Sequence, residues 1–373
     1  MSNEEALYCI GCGALLQSQQ QQQAGYIPEA TLEKYLAQDN VQELYCQRCF
    51  RLRHYNEVSA VPLNDKHFQQ LLQSIGKQQA LVIYVVDLFN FSGSVIKKLR
   101  QYIGRNPILL VGNKADLIPS SFNSNKLKDW LRQQVKKLGL HPVAIELVSA
   151  KKLTNIDDLL KQIMKLRQGK KVYVVGTTNV GKSTLINAII QAHSDWQNLI
   201  TTSNFPGTTL NEIRLPLAEG GEIIDTPGIM HDNQISQFLA PSELKYLAPQ
   251  QEIHPRVFQL QAQQTLFLAG LARLDFISGP SGSFVVYVNN QLYVHRTKLS
   301  QAQTFYHKHL GKLLQPPVSQ DHLPPLKAQT IITKVKSDIV FAGLGWIAVP
   351  AQVRLQAYLP QGLQVEVRPS LIN

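Results

Sequence analysis

The sequence has no apolar run long enough to span a bilayer. The longest clean one, Ala80 to Val86, falls well short of the roughly 20 residues that a membrane helix needs. The opening MSNEEALYC is acidic and shows no charged-then-apolar leader, so the expectation is a soluble cytoplasmic protein without a membrane partner. Acidic residues are outnumbered: 26 Asp and Glu face 37 Lys and Arg, a net charge of +11. That excess favours polyanions such as RNA, through phosphate contacts and counterion release. Cysteine is scarce, at four residues in 373, and a disulfide framework fits poorly in a cytosolic chain. The hydrophobic share of 44% is enough to bury a sizeable core, and the length fits two or three domains.

The four cysteines are gathered in one place. Cys9 and Cys12 form CIGC, and Cys46 and Cys49 form CQRC. Two CxxC turns complete a tetrahedral thiolate shell, so a structural zinc is expected with no position left open for catalysis. The low-complexity QSQQQQQAG, Gln17 to Gly25, reads as a loop between the pairs. Arg48, Arg51, Arg53 and His54 put a basic edge beside the second pair, which is either solvated surface or a patch for RNA or a ribosomal protein.

A phosphate-binding loop is missing where one would be sought. Asn113-Lys114-Ala115-Asp116 follows the apolar run Ile108 to Val111, the setting in which a nucleotide-binding protein reads guanine. Nothing upstream resembles a phosphate loop. Ser149-Ala150-Lys151 follows another strand-like run, Pro142 to Val148. An SAK at this point would back the guanine carbonyl with a backbone amide.

The loop arrives later. An apolar strand, Val172 to Val175, leads into GTTNVGKST, Gly176 to Thr184, and then a helix to about Ile190. This is GxxxxGK[ST] between a strand and a helix, as the chemistry requires. Backbone N–H groups of Thr178, Asn179, Val180, Gly181 and Thr184 would surround the phosphates, with Lys182 on the β and γ oxygens and Ser183 on magnesium. The positive end of the helix points at the anion. Downstream, Asp225-Thr226-Pro227-Gly228 closes the strand-like Glu222 to Ile224. Asp225 would hold magnesium through water, and the Gly228 N–H would sense the γ-phosphate. Between them, Phe205-Pro206-Gly207-Thr208-Thr209 offers a switch threonine; Thr209, just before the strand-like Leu210 to Leu217, would complete the magnesium shell. Glutamine is absent after Gly228; Ile229 stands there and cannot orient a water, so slow intrinsic hydrolysis is expected. His231 reads as a switch-loop residue rather than a base.

All five guanine-nucleotide motifs are therefore present in rotated order. The implied fold class is α/β: a circularly permuted P-loop GTPase domain on a mixed, mostly parallel six-stranded sheet. From about Leu244 the pattern changes to short apolar runs at 265–268, 284–288, 291–295, 330–335, 339–341 and 346–349, a strand-rich α+β region. One helix is expected over 300–310. Arg296, Lys298, Lys308, Lys312, Lys334 and Lys336 suggest a basic face without a catalytic cluster. The expected domains are a zinc module at 1–60, the GTPase domain at 61–238 and an RNA- or protein-binding domain at 239–373.

These residues resemble the YqeH family of circularly permuted GTPases. The paired CxxC, the rotated motifs, VVDLFNFSGS at 85–94, LAPQQEI and GLARLDF carry the likeness over nearly the whole chain. It implies a bacterial factor in biogenesis of the small ribosomal subunit, and the expected partner is that subunit or its precursor, through rRNA or ribosomal protein; a monomer is expected. The Gln-rich insert departs from the family pattern. Related GTPases with Asn at the position of Asn179 bind potassium, which would act like an arginine finger. Stimulation of hydrolysis by potassium or by the ribosome is expected. Two other readings are a GTPase partner in RNA modification and a nucleotide-gated RNA-binding module with little hydrolysis.

Overall fold

The computed structural model describes residues 65–192, 213–217, 220–228, 235–319 and 321–371, with residue 7 and the stretches 15–20, 25–29, 31–32 and 46–47 before them. Among the described residues no helix is long and apolar enough to cross a membrane.

The uninterrupted apolar run ALVIYVVD forms β1, Ala80–Asp87, and every residue of it is buried. A strand without polar alternation must be covered on both faces, and this one is. Leu81, Ile83 and Val85 lie under α4 (Ile156–Arg167) and α5 (Lys182–Ala192), whereas Val82, Tyr84 and Val86 lie under α1 (Asp65–Gly76), α2 (Leu99–Ile103) and α3 (Ser124–Lys137). Parallel neighbours β2 (Ile108–Asn113) and β4 (Lys171–Val175) flank β1. With β3 (Ala144–Leu147), β5 (Ile213–Pro216) and β6 (Glu222–Asp225) the sheet runs β3-β2-β1-β4-β6-β5. Only the β5–β6 pair is antiparallel. Asn123 caps α3 by accepting from the Asn125 and Lys126 amides.

The connections leave β1 toward β2 and β4 toward β6 in opposite directions. Ligands of open α/β sheets bind in the crevice at such a switch point, beyond the carboxyl ends of the strands. The NKAD stretch follows β2, the phosphate loop follows β4 and DTPG follows β6. All three gather at that edge.

The C-terminal region is a sandwich of two antiparallel sheets. One is ordered β16-β13-β14-β10-β7 and the other β11-β8-β9-β15-β12. Their strands are β7 (Arg256–Leu260), β8 (Gln264–Leu268), β9 (Ala272–Ser278), β10 (Gly282–Val288), β11 (Val294–Lys298), β12 (Leu326–Ile332), β13 (Ser337–Phe341), β14 (Gly345–Val349), β15 (Arg354–Pro360) and β16 (Val365–Pro369). Phe276 and Phe284 meet across the core with ring centroids 5.1 Å apart. The one helix, α6 (Leu299–His309), lies on β11 and β8.

Two sequence-derived strands are displaced. The run 291–295 begins inside a turn closed by Leu292 N to Asn289 O, so the strand starts at Val294. The run 330–335 belongs to a strand that starts at Leu326 and stops at Ile332. The first sheet of the sandwich turns its outer face to the nucleotide-type sheet: Tyr287, Val340, Trp346 and Ala348 share a core with Phe89, Phe91 and Trp130.

Candidate nucleotide site

Asn113 ends β2 and is almost wholly buried. Its amide Nδ2 donates to Val180 O at 2.9 Å, and its Oδ1 accepts from Ala150 N at 3.1 Å. One side chain thus ties the NKAD stretch to the SAK turn and to the phosphate loop. The next residue, Lys114, takes a left-handed backbone at φ 63°, which turns the chain so that Asp116 faces the SAK turn. Ser149 Oγ donates to Asp116 Oδ1 at 2.7 Å and accepts from Lys152 N at 3.1 Å. A buried hydroxyl fixed from behind holds the carboxylate in one orientation, as discrimination by hydrogen bonding requires.

The sequence reading missed Asp87. At the end of β1 its Oδ2 lies 2.6 Å from Lys114 Nζ, and its Oδ1 accepts from the Phe89 and Asn90 amides at 2.8 and 3.1 Å. It anchors the Lys114 stem against the loop. The available signal was an acid closing an otherwise apolar strand in VVDLFNFSGS.

The phosphate loop leaves β4 at Gly176, where an added Cβ would sit 2.7 Å from Val85 O. Gly181 has φ +89° and lies against Asn113, so a side chain there is excluded twice. Asn179 is left-handed at φ 63°. Lys182 is buried, and its Nζ donates to Gly176 O and Thr177 O, both at 2.9 Å. Burial pulls its pKa down to about 8, against the opposing pull of Asp225. Ser183 Oγ donates to Asp225 Oδ2 at 3.2 Å, and Thr226 Oγ1 donates to Val174 O at 2.8 Å, which pins the end of β6 beside the loop. At Gly228 a Cβ would lie 2.8 Å from Lys182 Nζ and 2.9 Å from Thr178 N, so only glycine lets this backbone come so close to the loop. The hydroxyl of Ser183 and the carboxylate of Asp225 are hard oxygen donors at the start of a helix, a set that suits magnesium bound to phosphates.

A cavity of about 330 Å³ joins these parts. Asn113, Lys114, Asp116, Ala150 and Lys151 line it from the NKAD stretch and the SAK turn, and Asn179, Gly181 and Thr184 from the phosphate loop. Its remaining wall includes residues between Leu244 and Gln250, plus Ser236 and Gly343.

Thr208, Thr209, Ile229 and His231 lie outside the described residues, as do Cys9, Cys12 and Cys49. Cys46 is buried, and among the described residues there is no cluster of metal-ligating side chains. The Gln-rich insert is closed at its base: Gln17 N donates to Gly25 O and Ile27 N to Gln17 O, both at 3.0 Å, while Gln47 N, inside the second CxxC, donates to Tyr26 O at 2.7 Å.

Comparison with known proteins gives the same picture. A family model described as "YqeH-like, C-terminal" matches residues 281–371, and one described as "50S ribosome-binding GTPase" matches residues 171–264. The chain is 47% identical to YqeH of Bacillus subtilis (strain 168) over 372 residues, which is 99% of this chain and 100% of that protein. It is 28% identical to NO-associated protein 1, chloroplastic/mitochondrial, of Arabidopsis thaliana over 426 residues, 97% of this chain and 76% of that one. GTPase Der of Haemophilus influenzae is 30% identical over 140 residues, 36% of this chain and 27% of that one. With the identity to YqeH running end to end and a GTPase model over residues 171–264, this chain is a GTPase of the YqeH-like family, hydrolysing GTP to GDP.

Proposed function

We propose that this GTPase is a nucleotide-dependent switch in assembly of the small ribosomal subunit, acting in the cytoplasm as a monomer. The observation that carries the switch is the pair of Asn113 hydrogen bonds, which make base reading and phosphate binding one rigid site. Asn113, Lys114 and Asp116, with the Ser149-Ala150-Lys151 turn, read guanine. Thr178 to Thr184 hold the phosphates, Lys182 offsets their charge, and Gly228 reports the γ-phosphate. Ser183 and Thr209 would hold magnesium, with Asp225, which accepts from Ser183 Oγ, supporting it; the metal would supply neutralisation of phosphate charge. Asn179 holds potassium.

We read the domain as circularly permuted. Motifs in rotated order along the chain meet at one edge of one sheet, and the GTPase family model begins at β4 and leaves NKAD and SAK unmatched. The domains are 1–60, 61–238 and 239–373. Cys9, Cys12, Cys46 and Cys49 hold a structural zinc in the first of them, on the strength of their spacing.

Support for RNA as the partner comes from α6 and β11. His295 stacks on Phe305 with centroids 4.2 Å apart and planes 2° apart, Phe305 meets His309 at 4.3 Å, and Tyr293 continues the column at 6.0 Å from His295. Burial, with His309 beside it, holds the His295 imidazole below its ordinary pKa, so at neutral pH it is an uncharged ring. Exposed Lys308 and Lys312 lie on α6 and in the turn after it, whereas Arg296 alternates with His295 along β11 and donates to Gln259 O at 3.3 Å. Rings among cations suit unpaired bases and their phosphates.

The test is GTP hydrolysis alone, with small subunits or their precursors, and with large subunits. Stimulation by the small-subunit particles alone is expected; equal stimulation by both, or by neither, would contradict the assignment.

A further inference from the structure

We propose that the C-terminal body supplies a wall of the guanine pocket, and that Leu244 and Gln250 are positioning residues for the base. This rests on the reading of NKAD and SAK as guanine-binding loops. The cavity between those loops and residues 244–250 measures about 330 Å³, within the range of small-molecule pockets, about 300–1,000 Å³. One side carries polar groups suited to reading a base: buried Asn113 and half-buried Asp116. The other is largely apolar, formed by Leu244, Leu247, Ala248 and Pro249. A flat ring with a polar edge fits between two such walls.

The wall is fixed at both ends. On the sandwich side, Glu243 is buried and accepts from Ala240 N at 3.0 Å and Val318 N at 2.7 Å, while Asn289 Nδ2 donates to Lys245 O at 2.7 Å. Leu247 sits in the sandwich core. On the nucleotide side, Lys151 Nζ donates to Gln250 O at 3.3 Å and to Gln250 Oε1 at 3.1 Å. Ser120 N donates to Glu252 Oε1 at 2.7 Å, and Ile253 N to Leu117 O at 2.9 Å. Both loops that read the base are thereby tied to the segment, which belongs to the sandwich. The same segment follows DTPG along the chain.

Base affinity and docking of the C-terminal body are then linked, and the linkage is reciprocal. Bound nucleotide holds the segment 244–253 in place, and a partner that draws this segment away opens the base side of the pocket and lets GDP leave.

Leu244 and Gln250 are exposed on the surface that borders the cavity, so replacing them leaves the core intact. The experiment follows dissociation of ribose-labelled GDP from the full chain and from the Leu244→Ala/Gln250→Ala double variant, with Asp116→Asn as a parallel arm. Hydrogen exchange is read across 244–253 in the unaltered protein with GDP or with inorganic tripolyphosphate. The proposal expects GDP to leave the double variant about tenfold faster, with tripolyphosphate affinity unchanged. It expects GDP to slow exchange across 244–253, and tripolyphosphate to leave it as it is. An unchanged GDP off-rate, or equal protection by both ligands, overturns the wall while Asp116→Asn still converts preference from guanine to xanthine. If Asp116→Asn leaves that preference untouched, the guanine reading fails first and the proposal falls with it.

Discussion

Asn113 is the residue on which the site depends, because its amide satisfies a carbonyl of the phosphate loop and a backbone N–H of the SAK turn at once. Asp116 is held differently, by one hydroxyl whose own place is fixed. Asp116→Asn puts an amide where guanine presents donors; an unpaired buried donor costs about 1–3 kcal/mol, so GTP affinity falls roughly 10- to 100-fold and xanthosine triphosphate becomes the better ligand in a competition assay. At Gly228 the conflict is steric. A Cβ would press on Thr178 N and on Lys182 Nζ, so Gly228→Ala is expected to weaken a non-hydrolysable GTP analogue about tenfold with little effect on GDP, read by calorimetry. For Asn179, hydrolysis is expected to be faster in potassium than in sodium, and Asn179→Ala to erase the difference; equal rates in the unaltered protein would remove the ion from the account. Most of these positions were legible because each motif is short, contiguous and bounded by a strand or helix the sequence also shows. Asp87 was not. Its role exists only through its contact with Lys114 across the site, and no local pattern encodes such a pairing.

Among the elements, α3 and β16 make the joint between the two bodies. Arg368 places its guanidinium 4.8 Å from the Trp130 ring centre and 5.3 Å from that of Trp346, with Asp338 Oδ2 3.4 Å from its Nε. Trp130 Nε1 donates to Pro369 O at 3.1 Å. Two indole faces take the place of hydrogen bonds that Nη1 and Nη2 do not make among the described residues. Removing one partner of a buried pair strands the other charge, so Arg368→Ala should cost about 3–5 kcal/mol in chemical denaturation. Asp338→Asn combined with Arg368→Met should recover much of that loss. The joint was invisible in the sequence, since its parts lie far apart along the chain. The central strands were plain: β1, β2 and β4 are nearly continuous apolar runs, buried on both faces. The sandwich was read only in part. β9 hides because Arg273 and Asp275 interrupt its apolar run, and these two neutralise each other at 2.6 Å inside the fold. β7 hides because it alternates burial along a sheet edge.

On the scale of the molecule, the sheet of the GTPase domain and a β-sandwich share a core, and residues 244–250 line the cavity beside the phosphate loop. With a net charge of +11, the chain is suited to a phosphate-rich particle, and its binding is expected to weaken as salt rises. The most direct test of this account is sedimentation of the purified protein with ribosomal subunits through a sucrose gradient at moderate salt, with GDP or a non-hydrolysable GTP analogue. The account predicts co-sedimentation with the small subunit in the analogue state and its loss with GDP; tight GTP binding with no co-sedimentation in either state would contradict it.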